Sequence, residues 1–268
     1  MKVIRKKDSK VDIKAKQRAI WIVGHYLTLV LGALYVLYAF KHNLTVYKRR
    51  SWKTLFLLAK RNVHKVTWKN STWSQYLISW YPNLCYQGSL LGVFMSYGVT
   101  DYQKWSNTSP SFYDLLSSEN SQGIMMASLW MVSRRSSFKL FPLMIVSYLH
   151  ISKKDEVKNT EISEITLKNA KLLHLMAYSE LIVILTLAVN TLLFKEAISG
   201  FVLLFTIAIF WLRLNFSPYT QATLLKLLLK VDKKVPESQK EKWNFIKGFL
   251  YNRMKEREQA LQRFKIDT

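Results

Sequence analysis

Between Leu172 and Phe216 the chain carries two apolar arms, Leu172–Phe194 and Gly200–Phe216, joined by the polar stretch Lys195-Glu196-Ala197-Ile198-Ser199. As helices, arms of 23 and 17 residues rise about 34 and 26 Å, close to what the hydrocarbon core of a bilayer demands. A soluble fold has nowhere to bury two such arms side by side. The first expectation is therefore a membrane hairpin, and the rest of the chain is read with lipid as its solvent.

The flanking sequence is basic. With 40 Lys and Arg against 17 Asp and Glu, the formal charge is +23, which calls for a polyanionic partner; in a membrane protein the default is anionic lipid headgroups. Nucleic acid is the other class that such a charge suggests. Here the basic residues are dispersed along amphipathic segments beside apolar runs, and no nucleic-acid-binding motif is visible, so no nucleic acid is expected. The single cysteine, Cys85, rules out an intramolecular disulfide.

Residues 1–19 carry eight Lys or Arg and two Asp and are expected as a mobile basic arm. The apolar run Ile20–Phe40 lacks a small-residue cleavage pattern and is expected to be a retained anchor. Residues 41–69 hold nine basic residues and no acid, with an apolar face at Leu55–Leu58, Val63 and Val66 that suits a helix on the membrane surface. A further segment, 77–100, contains Pro82, Gly88 and Gly92, residues tolerated in membrane helices where neighbours satisfy the freed backbone. Two short apolar pieces, Gly123–Val132 and Phe138–Ile151, flank Arg134-Arg135-Ser136-Ser137; they form either one interrupted span or a shallow hairpin with an arginine tip. The expected organisation is a basic arm (1–19), a membrane domain (20–220, with segments 20–40, 77–100, 123–151, 172–194 and 200–216) and a cytosolic basic amphipathic tail (221–268). The fold class is all-α: a polytopic integral membrane protein with short helical hairpins and basic interfacial helices.

Orientation follows from the preference of basic loops for the cytosol. It places 41–69, the linker 152–171 and the tail in the cytosol, and 101–121 and the Lys195–Ser199 turn in the lumen. The N-terminal arm then conflicts with the rule, unless the first segment is re-entrant. Four N-x-S/T sequons begin at Asn43, Asn70, Asn107 and Asn215; by this orientation only Asn107 is lumenal and a candidate for glycosylation.

The tail holds the most specific pattern. At 100° per residue, Trp243, Ile246, Leu250, Met254, Leu261 and Phe264 fall within an arc of about 80°, with Phe249 beside them. Lys240, Lys242, Lys247, Arg253 and Lys255 flank this stripe, followed by Arg257, Arg263 and Lys265. Upstream, Lys226, Lys230, Lys233 and Lys234 share one face of a leucine-rich helix. Apolar stripe and basic flank suit a membrane surface; the same stripe also suits packing on the protein's own helices or on a partner. An import receptor could also read such basic clusters.

Glu180 and Arg213 are the two charges inside the arms. They lie 17 and 16 residues from Ala197 at the centre of the turn, so antiparallel arms bring them to the same depth. An ion pair that fixes the hairpin's register is one reading, and independent snorkelling to the interface is the other.

Catalytic and metal motifs are sparse. His150 and Asp155 match the H-x-x-x-x-D spacing of glycerolipid acyltransferases, which makes a membrane-bound lipid acyltransferase the rival reading. No second acyltransferase block follows, and a two-residue pattern arises readily by chance. His25, His42, His64 and His174 are scattered without metal-ligand spacing. No catalytic residue, metal or cofactor is assigned, and the expectation is a non-enzymatic protein.

Two blocks resemble the eukaryotic transmembrane protein 33 family. The first runs from Gly123-Ile124-Met125-Met126 through Phe141-Pro142-Leu143 and Ser147-Tyr148-Leu149-His150 to Lys153-Lys154. The second comprises Leu173 to Glu180, Trp211-Leu212-Arg213-Leu214, Ser217-Pro218-Tyr219 and Leu224. The long basic tail and the aromatic stretch Leu77–Tyr102 are more similar to the fungal branch, which includes pore-membrane nucleoporins. The resemblance implies a protein of the endoplasmic reticulum and nuclear envelope. It would act with reticulon-type proteins and nucleoporins in shaping membrane and in distributing or assembling nuclear pores.

Overall fold

The computed structural model describes residues 9–49, 72–106, 108–152, 170–193, 198–232 and 234–266, and all regular structure among them is helical. Helix α1 spans Ser9–Arg49, α2 Trp73–Trp105, α3 Phe112–Ser117, α4 Glu119–Val132 and α5 Ser137–Ser152. Then come α6 (Ala170–Leu192), α7 (Ser199–Phe216), α8 (Pro218–Asp232), a single 3₁₀ turn at Glu237–Gln239, and α9 (Lys240–Ile266). The surface helix expected within 41–69 lies largely outside the described residues, as do most of the linker 152–171, the centre of the 195–199 turn, and Asn107.

Three stretches are long and apolar enough to cross a membrane: Ile13–His42, Ala170–Leu192 and Ser199–Phe216. In each, only 28% of the most apolar window is buried inside the protein. The remaining apolar surface needs hydrocarbon around it, so packing alone does not explain these helices. α2 has the length but not the hydropathy of that set, while α5 is apolar but short.

Contacts divide the chain into two compact units, Met1–Lys104 with Trp130–Lys154, and Trp105–Leu129 with Asp155–Thr268. The first unit is built on α1, one unbroken helix of 41 residues. That continuity removes the re-entrant alternative for the first segment. It also absorbs residues 9–19 of the expected basic arm, which are rich in good helix formers such as Ala, Lys, Arg and Gln. Gln103 Nε2 donates to Gln17 Oε1 at 3.0 Å, which ties this extension to the far end of α2.

α1 and α2 run antiparallel and meet through small residues. A methyl group on Gly24 would lie 2.7 Å from the Gly92 carbonyl oxygen, and one on Gly92 would lie 2.6 Å from the Gly24 carbonyl oxygen. Thr28 Oγ1 donates to Ser89 O at 3.2 Å, and Ser89 Oγ donates back to Thr28 O at 3.0 Å. In lipid, where apolar side chains gain little by leaving one solvent for a similar one, such close approach and interhelical hydrogen bonding hold helices together. Sequence reading took Gly88 and Gly92 for tolerated interruptions; the structure makes Gly92 a contact.

Residues 123–151 resolve into two helices of 14 and 16 residues, α4 and α5, with a break at 133–136. They rise about 21 and 24 Å, shorter than a full crossing. The turn between them leaves carbonyls at the end of α4 without helical donors, and side chains supply the bonds. Tyr86 Oη donates to Trp130 O at 3.4 Å and Gln87 Nε2 to Met131 O at 3.3 Å. Lys139 Nζ donates to Arg134 O at 2.8 Å and to Ser133 Oγ at 2.7 Å. Irregular backbone within an apolar environment requires such capture.

α5 returns alongside α1. His25 pairs with Ser147 at 3.2 Å, and its ring stacks on His150 with centroids 4.8 Å apart, while Gly32 accommodates Met144. The ring of Tyr97 on α2 also lies 6.1 Å from His25. The ends of α2 and α5 therefore leave the first unit at the same end.

Candidate membrane-binding surface

The second unit carries the elements on which the sequence argument placed function. α6 and α7 form the antiparallel hairpin, facing each other through buried Val183, Leu187, Val202, Thr206 and Ile209. Arg213 and Glu180 form an ion pair across it, with side chains 12% and 3% exposed. Two charges spaced almost equally from the turn thus meet at one depth. Of the two readings, pairing holds and independent snorkelling does not. A pair removed from water in this way fixes register, because a slip of either helix leaves a buried charge alone.

α7 ends at Ser217, whose N–H donates to Arg213 O at 2.7 Å. Pro218 follows at the first position of α8, where its missing N–H costs no helical bond. α8 packs back on α6 and α7 with Thr220, Thr223 and Leu228 buried. Of its lysine face, Lys230 and Lys234 are exposed, Lys233 lies outside the described residues, and Lys226 is engaged. Lys226 Nζ lies 2.9 Å from His174 Nε2, His174 Nδ1 lies 2.7 Å from Thr223 Oγ1, and Thr223 Oγ1 donates to Tyr219 O at 2.7 Å. This chain is consistent if the imidazole is neutral with its proton on Nδ1, since the hydroxyl proton is already committed and an ammonium can only donate. Lys226 thereby joins α8 to α6, whereas Lys230 and Lys234 are exposed.

α9 folds back against this scaffold. Asp232, the last residue of α8, accepts from Trp243 Nε1 at 2.8 Å and from Lys247 Nζ at 3.0 Å. These two donors, the lysine first, hold the Asp232 carboxyl below its ordinary range. The Phe249 ring stacks against Trp211 of α7 at 6.3 Å with planes 17° apart. Trp211 lies near the end of a helix long and apolar enough to cross a membrane, a position at which tryptophan is enriched.

This docking splits the expected stripe. Trp243 and Leu250 are half-buried, whereas Ile246 and Phe249 are exposed; Phe245, which the 80° arc omitted, is 77% exposed. Lys240, Lys242 and Lys255 are exposed around them, Lys240 in a surface pair with Glu237 at 3.2 Å. The side chains of Arg253, Met254, Leu261 and Phe264 lie outside the described residues. Sequence reading missed Asp232, Phe245 and Trp211. Asp232 stands 11 and 15 residues from its partners, beyond any local pattern, and Phe245 is visible only once the docked face of α9 is known.

His150 lies in the last turn of α5, against His25 and 5.7 Å from the Trp21 ring; Asp155 lies outside the described residues. Among the described residues no group of three or more His, Cys, Asp or Glu side chains is placed to hold a metal ion.

Fold and surface together define an all-helical, polytopic integral membrane protein with short hairpins and a basic amphipathic helix. The chain is similar to the uncharacterized membrane protein YGR026W of Saccharomyces cerevisiae (strain ATCC 204508 / S288c), with 47% identity over 270 residues, covering 98% of this chain and 96% of the yeast protein. The chain belongs to the family of that yeast membrane protein. No family model matches it, and no solved structure does.

Proposed function

We propose that this protein is a non-enzymatic component of the endoplasmic reticulum and nuclear envelope that helps shape curved membrane. The observation that carries this reading is the exposed face of α9, where Phe245, Ile246 and Phe249 share an arc with Lys242, and Lys255 is exposed further along the helix. Large apolar side chains rimmed by lysines suit insertion among headgroups, because burial and attraction to anionic lipid add. Inserted shallowly, they expand one leaflet and favour positive curvature. The helices α4 and α5, each short of a full crossing, act in the same sense.

The resemblance to the transmembrane protein 33 family supports the location and points to a role in nuclear pore distribution or assembly. Reticulon-type proteins and nucleoporins are the partners it suggests, and an import receptor is a further reader of the basic tail. The test is reconstitution of the full chain into liposomes containing anionic lipid, with vesicle shape followed by electron cryomicroscopy. The expected result is smaller or tubulated vesicles with the wild type and a return toward the lipid-only size distribution with Phe245→Ser/Ile246→Ser/Phe249→Ser. Wild-type vesicles indistinguishable from protein-free ones would overturn the reading.

A further inference from the structure

The end of the first unit at which α1 finishes, α2 begins and α4 turns into α5 has a distinctive composition. No Asp or Glu occurs from residue 13 to 100 or from 120 to 154, and the described helices at this end come from these stretches. They bring to it Lys41, Arg134, Arg135 and Lys139. Arg134 and Arg135 are exposed at the turn, close after Trp130, whose carbonyl accepts from Tyr86 Oη. Lys139 is only 4% exposed, and its two bonds to Ser133 and Arg134 hold the backbone from which both guanidinium groups project.

Aromatic side chains mark the depth. Tyr35 and Tyr86 meet edge to face at 5.0 Å, and about one turn further toward this end Tyr38 and Tyr81 do so at 6.5 Å. Tyr38, Trp80 and Tyr81 are exposed. Tyrosine and tryptophan at helix ends sit at the headgroup level, where lipid phosphates lie. A planar guanidinium recognises phosphate through two parallel hydrogen bonds, and two adjacent ones form a clamp.

We propose that this end is a docking surface for the headgroups of anionic phospholipids, with Arg134 and Arg135 as the phosphate-binding cations and Lys139 as the positioning residue that fixes their turn. The proposal does not rest on the curvature reading. It takes lipid rather than an acidic protein because the cations stand beside an aromatic girdle at membrane level.

The experiment is lipid competition on the full chain in detergent–lipid micelles, with phosphatidylinositol against phosphatidylcholine and retained lipid read by native mass spectrometry. Wild type should retain phosphatidylinositol preferentially. Arg134→Gln/Arg135→Gln should lower that preference about thirtyfold, since each cation near the surface is worth about fivefold. Arg134→Lys/Arg135→Lys should keep most of it. Should the double glutamine variant fail to fold, Arg135→Gln alone should show a drop of about fivefold. Equal retention of the two lipids by wild type, or undiminished preference in the glutamine variants, would overturn the proposal.

Discussion

The α1–α2 crossing and the α6–α7 hairpin solve one problem by opposite means. In the first, Gly24 and Gly92 bring two backbones so close that neither position accepts a methyl group, and Thr28 and Ser89 exchange hydrogen bonds across the gap. In the second, most of the buried side chains are apolar, among them Val183, Leu187, Val202 and Ile209, and one buried pair, Glu180 with Arg213, fixes the register. The difference shows that specificity between membrane helices can come from the absence of side chains or from a charge too costly to leave alone.

If that contrast is right, the most damaging single change lies in the hairpin. Arg213→Leu leaves Glu180 buried without its cation and should cost about 3–5 kcal/mol in a reversible unfolding measurement in detergent. The exchange Glu180→Arg/Arg213→Glu should recover part of that loss; an exchange no better than its single variants would break the idea of a register pair. Next in size is Gly92→Leu, which forces side-chain atoms into the Gly24 backbone and should cost about 1–3 kcal/mol. Gly98 lies on the same helix with nothing within 4 Å of a Cβ position, so Gly98→Ala should be neutral or gain up to about 1 kcal/mol. Equal effects at Gly92 and Gly98 would show that the crossing is not built on close approach.

A smaller effect sharpens the picture of α9. The Asp232 carboxyl is held below its ordinary value by Lys247 and Trp243, so its contribution to docking is present above the ordinary carboxylate pKa and is lost as pH falls through the depressed one. Hydrogen exchange in 240–250 should therefore quicken in that acid range, with Asp232→Asn exchanging faster at neutral pH and losing that part of the pH dependence. An unaltered acid response in Asp232→Asn would place the docking elsewhere.

The two regions also differ in how readily sequence reveals them. The hairpin was legible because its arms are long, its turn is polar, and two charges at matched distance from Ala197 stand out against apolar neighbours. The crossing was not, because a glycine carries no sign of which helix will approach it; Gly92 acquires meaning only from Gly24, 68 positions away. Arg134-Arg135-Ser136-Ser137 announced a break in 123–151 but not its sense, since hairpin and interrupted span share that pattern. At the break, the Trp130 and Met131 carbonyls are captured by Tyr86 and Gln87 of α2, and the Arg134 carbonyl by Lys139 of α5, partners that no local pattern shows. The tail's amphipathicity was equally visible, yet its outward face shifted once Asp232 claimed Trp243 and Lys247.

The central claim is that α9 lies at the membrane interface with Phe245, Ile246 and Phe249 toward lipid. Spin labels placed singly at Phe245, Ile246, Phe249 and Lys255 of the full chain in lipid nanodiscs test it through collision with oxygen and with a water-soluble nickel chelate. The account predicts that oxygen dominates at the first three positions and the chelate at Lys255. Dominance of the chelate at all four would contradict it.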